Sequence, residues 1–347
     1  LSLQGLEASE QSAKVLADFE KDRSDIAEAT SDIDARQRFL LRSGEALLAF
    51  GLLSLSATPA LHGFGLTLLF GIGMVLASGC PQRNLVKAGA GSLKAWVTLL
   101  VAAVTAQMTL RGVLAEPRVR VLEEAGIQLQ HPQDLGSMLS PYTGAAPSTM
   151  RWAALLLLLA VALVLAWRSR RVMDRSHWMG GVGVGLLVPA AWALTGLVGF
   201  LPEHPDTLEA SWMGTYSHRP EALTFTAPLA HGLDLLTLWS DRNNTASFGV
   251  VVTLGVLLGS MATAVVRKEF HVESFHDAED MGNHLAGAVL MGFGGVTAMG
   301  CSIGQGISGL SLLSAGSCIA VTGMVAGTWL GLRFQTRSEE RRVGKEC

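Results

Sequence analysis

"LFGIGMVLASGC", residues 69–80, and "LMGFGGVTAMGC", residues 290–301, are two versions of one short sequence. Each ends in the dipeptide Gly-Cys, which occurs nowhere else in the chain. Each is followed by small and polar residues and then by a second apolar run. Cys80 and Cys301 are 221 positions apart, and at this separation seven residues of the two stretches are identical. The matching pairs are Leu69 and Leu290, Gly71 and Gly292, Gly73 and Gly294, Val75 and Val296, Ala77 and Ala298, Gly79 and Gly300, and Cys80 and Cys301.

This match predicts an internal repeat. We place the first copy at about residues 44–113 and the second at about 248–332. The alternative is a coincidence between two membrane helices that both favour Gly and Ala because small residues allow close packing.

The composition indicates a protein that lies in lipid. Only 16% of the residues are charged, 49% are hydrophobic and the mean hydropathy is +0.37, whereas a soluble core of this size has to be wrapped in charged residues. The net charge of −3 and the lack of a basic patch with interleaved aromatic residues argue against nucleic-acid binding. The four cysteines form neither a CxxC pair nor a Cys/His metal spacing, so we expect no metal site, disulfide framework or cofactor.

Eight apolar runs approach the length that crosses a bilayer, which is about 20 mostly apolar residues. They are residues 44–61, 63–79, 93–113, 152–167, 178–201, 248–266, 285–300 and 317–332. The sequence therefore predicts an all-α polytopic membrane protein with about eight or more transmembrane helices. Two longer polar connections remain, at residues 114–150 and 202–247.

The distribution of Arg and Lys predicts the orientation, because cytoplasmic loops carry an excess of these residues. The clusters before the first span and after the second, fourth, sixth and eighth spans all fall on one side of an alternating path. If that side is cytoplasmic, the two long connections lie outside. Arg111, Arg118 and Arg120 also fall outside, against the rule, but are diluted by Glu116, Glu123 and Glu124. The second span then runs inward and the seventh outward. This is an inverted-topology repeat, which in transporters places the substrate site near the midplane on broken helices.

The two ends of the chain differ from its apolar body. Residues 1–41 are polar and mix both charge signs, which predicts a solvated cytoplasmic segment without a signal peptide. Residues 42–333 form the predicted transport domain. The chain begins without Met, and its tail, residues 334–347, resembles the translated read-through of a sequencing adapter. The alternative is a genuine basic cytoplasmic tail, and Cys347 is given no functional weight.

Each Gly-Cys motif is expected to break a membrane helix. Pro81 suits the first turn of a new helix, and Ser302 suits a cap, so each cysteine is predicted to lie where one helix ends and a short one begins. The free N–H groups and the positive end of the helix dipole at such a point favour an anion. A neutral thiol is a soft and weak donor. We therefore expect a sulfur-bearing anion whose terminal sulfur accepts from the thiol and whose oxygens accept from backbone N–H groups.

Three stretches together resemble the YeeE/YedE family, the sulfur-transport proteins of bacterial inner membranes. They are "GMVLASGCPQRNLVKAGAGSL" (73–93), "FGVVVTLGVLLGS" (248–260) and "LMGFGGVTAMGCSIGQGISGLS" (290–311), and the likeness covers residues 42–332. The resemblance implies a thiosulfate importer with an hourglass-shaped inverted repeat, in which Cys80 and Cys301 relay the substrate by S–H···S hydrogen bonds. Well-understood members carry a third relay cysteine in the span before the second motif, and residues 248–266 contain none. The exact substrate is therefore left open.

The prediction for the site is a cysteine-lined path without catalytic residues, so we do not expect an enzyme. Gln82, Arg83, Asn84 and Gln305 are predicted to line the cytoplasmic exit; helix-end anchoring and headgroup contact is the alternative. The supporting set is Gly79, Pro81, Gln82, Arg83, Gly300, Ser302, Gly304, Gln305 and Gly306.

The expected partners are thiosulfate or a similar sulfur anion, the lipid of a bacterial inner membrane and, by family likeness, a cytoplasmic sulfur-carrier protein. Alternative functions are a permease for a selenium or other sulfur compound and an intramembrane thiol–disulfide redox protein.

Overall fold

A computed structural model describes residue 21 and residues 59–123, 133–144, 146–169, 175–203, 210–241 and 244–343. The chain divides into two compact units, residues 1–52 and 53–347. The architecture below is that of the second unit. The predicted first span, residues 44–61, lies almost wholly outside the described residues.

The described part of the chain is almost entirely helical. The α-helices are α1 (Pro59–Leu76), α2 (Pro81–Gly89), α3 (Leu93–Leu110), α4 (Ala115–Pro117), α5 (Leu135–Thr143), α6 (Pro147–Ser169), α7 (Arg175–Ala193), α8 (Thr226–Thr237), α9 (Phe248–Arg267), α10 (Ala278–Thr297) and α11 (Ala315–Val343). Three π-helical turns occupy Arg118–Glu123, Leu194–Val198 and Gly304–Gly309. The strands β1 (Phe200–Leu201) and β2 (Ser211–Trp212) pair antiparallel, with Phe200 opposite Trp212 and Leu201 opposite Ser211.

Six of the described helical segments are long and apolar enough to cross a membrane: Gly63–Gly89, Leu93–Leu110, Pro147–Ser169, Ser176–Val198, Phe248–Arg267 and Ala315–Thr336. A helix of 18 residues is about 27 Å long, which is close to the thickness of the hydrocarbon core. The structure thus confirms an all-α membrane protein. The predicted seventh span corresponds to α10, which is helical but is not among the six; Glu279 and Asp280 lie in its first turn.

Helix α6 has apolar side chains on all sides. Leu156, Leu157, Leu158 and Leu159 are all more than half exposed. A water-soluble protein rarely exposes so continuous an apolar surface, whereas a helix that is hydrophobic all round is typical of a membrane span. This helix is therefore suited to face lipid.

The tightly packed part of the molecule consists of the helices that carry the two Gly-Cys motifs and their neighbours. Helix α1 packs against α10 and α11, α3 packs against α10 and α8, and α2 packs against α9. Phe70, Ala77, Leu85, Met291 and Cys301 belong to one buried cluster among these helices. The core of the fold and the motif cysteines thus occupy the same region.

Candidate functional site

The first Gly-Cys motif separates α1 from α2. After α1 ends at Leu76, Ser78 has a φ of 54° and Gly79 a φ of 149°, and Cys80 is extended as the N-cap of α2. The left-handed region is costly for residues with a Cβ, so Gly79 is the residue type that this turn requires. Pro81 is the first residue of α2, where its missing N–H costs no helical hydrogen bond.

The second motif likewise separates two helical segments, α10 and the one that begins at Ser302, although Gly300 does not share the positive φ of Gly79. Met299 has a φ of 55°, which repeats the φ of Ser78, 221 positions earlier. The backbone hydrogen bonds of the two breaks also correspond one by one. They are Ala77 N to Gly73 O (3.0 Å) and Ala298 N to Gly294 O (2.9 Å); Gly79 N to Met74 O (2.8 Å) and Gly300 N to Gly295 O (2.9 Å); and Asn84 N to Cys80 O (3.0 Å) and Gln305 N to Cys301 O (2.8 Å).

A side-chain amide closes each break at the same place. Asn84 Nδ2 donates to Gly79 O at 2.9 Å and lies 3.4 Å from Ala77 O, while Gln305 Nε2 donates to Ala298 O at 2.7 Å. Carbonyl groups released by a helix break are expensive to leave unpaired inside a membrane protein. The two amides therefore hold the break in shape, which is a form of the helix-end anchoring given above as the alternative for Asn84 and Gln305.

Helices α1 and α10 cross antiparallel in close contact. A Cβ on Gly73 would lie 2.9 Å from Gly287 O, and a Cβ on Gly294 would lie 3.2 Å from Leu66 O. The two helices run in opposite directions, because residues later in α10 contact residues earlier in α1. Cys80 and Cys301 therefore lie towards opposite ends of this helix pair.

The flanking helix pairs repeat a second contact. The position of Gly71 faces the backbone of Met324 and Thr328 on α11, and that of Gly292 faces the backbone of Ala102 and Ala106 on α3. Gly71 and Gly292 are 221 positions apart, and the residues that they face on α11 and α3 are 222 positions apart. Similar glycine contacts thus occur in both flanking helix pairs as well as at the motifs.

Cys301 is fully buried, and Cys80 is partly exposed. Thr224 Oγ1 lies 3.9 Å from Cys301 Sγ, and a Cβ on Gly304 would lie 2.9 Å from the same hydroxyl oxygen. Next to the thiol, Ser302 Oγ is buried and has no hydrogen-bond partner among the described residues. Two hydroxyls and a thiol are therefore grouped at the second break.

A polar pocket of about 60 Å³ lies beside the first break. Lys87 Nζ donates to Ser78 O at 2.8 Å, and Lys94 Nζ pairs with Glu273 at 2.7 Å. The hydrogen bond from Lys94 holds the pKa of Glu273 below its usual range. Under the predicted orientation this pocket is on the cytoplasmic side. Its lining is Ser78, Asn84, Lys87, Ser92, Lys94, Ala95, Glu273 and His284.

The other predicted site residues are distributed around the two breaks. Pro81 is buried, Gln82 is partly buried and Arg83 is exposed, with its side chain beside Gly79. In the second half, Gln305 Oε1 accepts a hydrogen bond of 2.6 Å from Ser317 Oγ, and Gly306 is partly buried. In the part of the chain that the structure describes, no group of three or more His, Cys, Asp or Glu side chains is arranged to hold a metal ion.

The sequence did not predict that part of the long connection at 202–247 packs into the core. Helix α8 (Thr226–Thr237) packs against α3, α9 and α10, and Thr224 just before it contacts Cys301. With 12 residues, α8 is too short to be recognised as a span. The sequence gives no sign that Asp234 in this polar connection is buried; only the structure reveals it.

The chain is also similar in sequence to known proteins. Residues 45–330 match the family described as sulphur transport. The chain is 25% identical over 282 residues to the thiosulfate transporter TsuA of Escherichia coli K12, which covers 75% of this chain and 70% of that protein. It is 24% identical over 270 residues to the thiosulfate transporter TsuA of Spirochaeta thermophila, covering 75% of this chain and 73% of that protein.

Proposed function

The chain belongs to the sulphur transport family, and from this membership and its two matching helix breaks we propose that it imports thiosulfate or a closely related sulfur anion. It is a multi-pass membrane protein, and two curated relatives are named thiosulfate transporters. The proposed location is the inner membrane of a bacterium, and the proposed activity is transport without catalysis.

The observation that carries the proposal is the pair of equivalent breaks. In each, a cysteine lies between the end of one helix and the start of the next, where backbone N–H groups are available to an anion. A thiol adds a soft donor that matches the terminal sulfur of thiosulfate better than it matches an all-oxygen anion. The pairing of N–H groups with a thiol therefore favours a sulfur-bearing anion.

An inverted repeat is part of this proposal. The antiparallel crossing of α1 and α10, the repeated backbone hydrogen bonds and the repeated glycine contacts all support it. The proposal of eight or more spans adds to the six described segments the residues 44–61 and α10. Such repeats place a transport site between their copies, near the midplane.

We propose that the substrate meets Cys301 first and Cys80 second. Thr224 Oγ1 and the unpartnered Ser302 Oγ add oxygen-directed donors at Cys301. Lys87 and Lys94 beside the first break then receive the anion on the cytoplasmic side. Weak contacts at successive stations favour passage, because a conducted ion has to leave each station. A cytoplasmic sulfur-carrier protein that takes the product away is the proposed partner.

The test is uptake of labelled thiosulfate by proteoliposomes that contain the purified protein. Cys80→Ala and Cys301→Ala are expected to lose uptake while they keep wild-type insertion and thermal stability. The matched control is Cys318→Ala, because Cys318 is exposed on α11, and it should transport normally. Full uptake by both motif variants would refute the cysteine path.

The alternatives are separated by two further measurements. Competition by selenium or other sulfur compounds ranks the substrates, and preferential uptake of one of these over thiosulfate would reassign the substrate. A disulfide between Cys80 and Cys301 trapped in cells would favour the redox function instead.

A further inference from the structure

A second polar cluster lies at the end of α3 opposite to Lys94, on the side that the predicted orientation places outside. Arg111 follows α3, and its Nη1 lies 3.4 Å from Oδ2 of Asp234 on α8. The Asp234 side chain is 4% exposed, whereas that of Arg111 is 52% exposed. One end of the guanidinium group is thus available to solvent while its partner carboxylate is buried.

The surroundings of this pair hold Arg111 in place. Its guanidinium carbon lies 5.1 Å from the centroid of the Tyr216 ring, and that ring stacks on His231 with 3.6 Å between centroids. A guanidinium over an aromatic face is oriented as well as attracted. Burial lowers the pKa of His231 to about 4, so this imidazole adds no positive charge at neutral pH.

One buried hydroxyl beside Arg111 lacks a hydrogen-bond partner among the described residues. Buried polar groups are normally paired, and Tyr216, whose ring the Arg111 guanidinium contacts, has no partner for its Oη. A hydroxyl can donate to an anion, so this atom suits a polar ligand held at Arg111.

The cluster is connected to the proposed path by α8. Thr224 contacts Cys301, Thr226 packs against the position of Gly295, and Asp234 follows two turns further on. Eight residues of helix span about 12 Å. An anion held at Arg111 would therefore lie close to the second break on its outer side.

We propose that Arg111 and Asp234 form a reception site for the incoming sulfur anion, at which the anion takes the place of the Asp234 carboxylate on the Arg111 guanidinium. This inference rests on the proposed function and its orientation. Arginine presents five N–H donors in a planar fork that suits the oxygens of such an anion. Asp234 is then an internal competitor that keeps Arg111 oriented while the site is empty.

The exchange is opposed by the buried partner of Arg111. A carboxylate left buried without its cation is unfavourable, so the ion pair with Asp234 competes with capture of the anion. Gln107 Nε2, which donates to Asp234 Oδ1, stays with the carboxyl group. Removal of the Asp234 charge should therefore improve capture.

The experiment measures initial rates of thiosulfate uptake in proteoliposomes over a range of outer thiosulfate concentrations. Arg111→Gln should raise KM by roughly tenfold or more with little change in maximal rate, since a charged hydrogen-bond partner is lost. Asp234→Asn should lower KM, because the internal competitor for Arg111 is removed.

The double variant Arg111→Gln with Asp234→Asn separates reception from structure, and it serves also if a single variant does not fold. A structural ion pair predicts that removal of both charges restores the wild-type KM, whereas a reception site predicts that KM stays high. The matched control is Glu116→Gln, because Glu116 belongs to an exposed pair with Arg120 on the same side; it should leave KM unchanged.

The outcomes also separate this inference from the proposed function. If Cys301→Ala abolishes uptake but Arg111→Gln leaves KM unchanged, the transporter stands and the reception site is wrong. If the wild type takes up no thiosulfate, the proposed function itself is wrong.

Discussion

Ser78 and Met299 have the same left-handed backbone conformation, with φ of 54° and 55°, one residue before the glycine of each Gly-Cys motif. Few residues other than glycine adopt this region, so two occurrences 221 positions apart are a structural correspondence that identity of side chains would not reveal. Each lies two residues after the end of a helix whose last carbonyls accept from the following turn. The break is thus a property of the backbone pattern and not of one side chain.

Met299→Gly tests how much strain the second break holds. Left-handed conformation costs about 1–2 kcal/mol for a residue with a Cβ, and Met299 is 86% exposed, so little packing is lost with its side chain. We expect the free energy of unfolding to rise by up to about 1 kcal/mol. Thermal unfolding in detergent measures this, with Met281→Gly in α10 as a control that should destabilise, because glycine is unfavourable within a helix.

Asn84→Ala tests the amide that closes the first break. Asn84 is 1% exposed and its Nδ2 donates to Gly79 O, so its removal leaves buried carbonyl groups with fewer donors. A loss of about 1–3 kcal/mol in unfolding free energy is expected. We expect reduced thiosulfate uptake as well, because the break carries Cys80. The control is Val86→Ala on the exposed side of α2; equal loss in both variants would argue against a specific role for the amide.

The helix breaks were predictable from the sequence because their causes are local. Glycine at 79 and proline at 81 impose turn and helix-start geometry within a few residues of Cys80. The same reasoning predicted the apolar spans, of which six are matched by described helices. The sequence also predicted α10 as a span like these six, because the rest of the helix after its acidic first turn is apolar.

Contacts between distant parts of the chain were beyond such reasoning. Thr224 lies 77 positions before Cys301, and nothing in the local sequence joins the two. Arg111 was placed at the end of the third predicted span and Asp234 in the second long polar connection, whereas the fold brings them together. Which side chains meet across the fold depends on tertiary packing, and neither a hydrophobic periodicity nor a local motif determines it.

Acid should weaken the attachment of α5 to α6. The Arg151 guanidinium, 2.7 Å from Asp134, and the Ser137 N–H hold the pKa of Asp134 well below its usual range. Because the folded-state pKa is depressed, the stabilisation is complete above the unfolded-state value of about 4 and is lost as pH falls through the folded-state value. Asp134→Asn should therefore lower Tm at neutral pH, and its deficit relative to the wild type should shrink in acid.

That comparison uses Glu116→Gln as its control. Glu116 pairs with Arg120, but both side chains are at least 70% exposed, and exposed pairs contribute little to stability. Its Tm should follow the wild type at every pH. A deficit of Asp134→Asn that stays constant from neutral to acidic pH would contradict the assigned role of the carboxylate.

Gly73→Ala tests the antiparallel crossing on which the proposed repeat depends. The added Cβ would lie 2.9 Å from Gly287 O and 2.9 Å from Leu290 Cβ, distances that force α1 and α10 apart. Overpacking of this kind costs about 1–3 kcal/mol.

In Gly294→Ala the nearest atoms lie 3.0–3.2 Å away, so the cost should be smaller. Gly259→Ala on α9 meets no described atom within 4 Å and should instead stabilise by about 0.5–1 kcal/mol, because alanine favours helix. Thermal unfolding of the three variants should therefore rank them Gly73→Ala, Gly294→Ala and Gly259→Ala in order of rising Tm. An unchanged Tm for Gly73→Ala would mean that α1 and α10 are not in close contact, and the geometry that sets Cys80 and Cys301 at opposite ends of the pair would be lost with it.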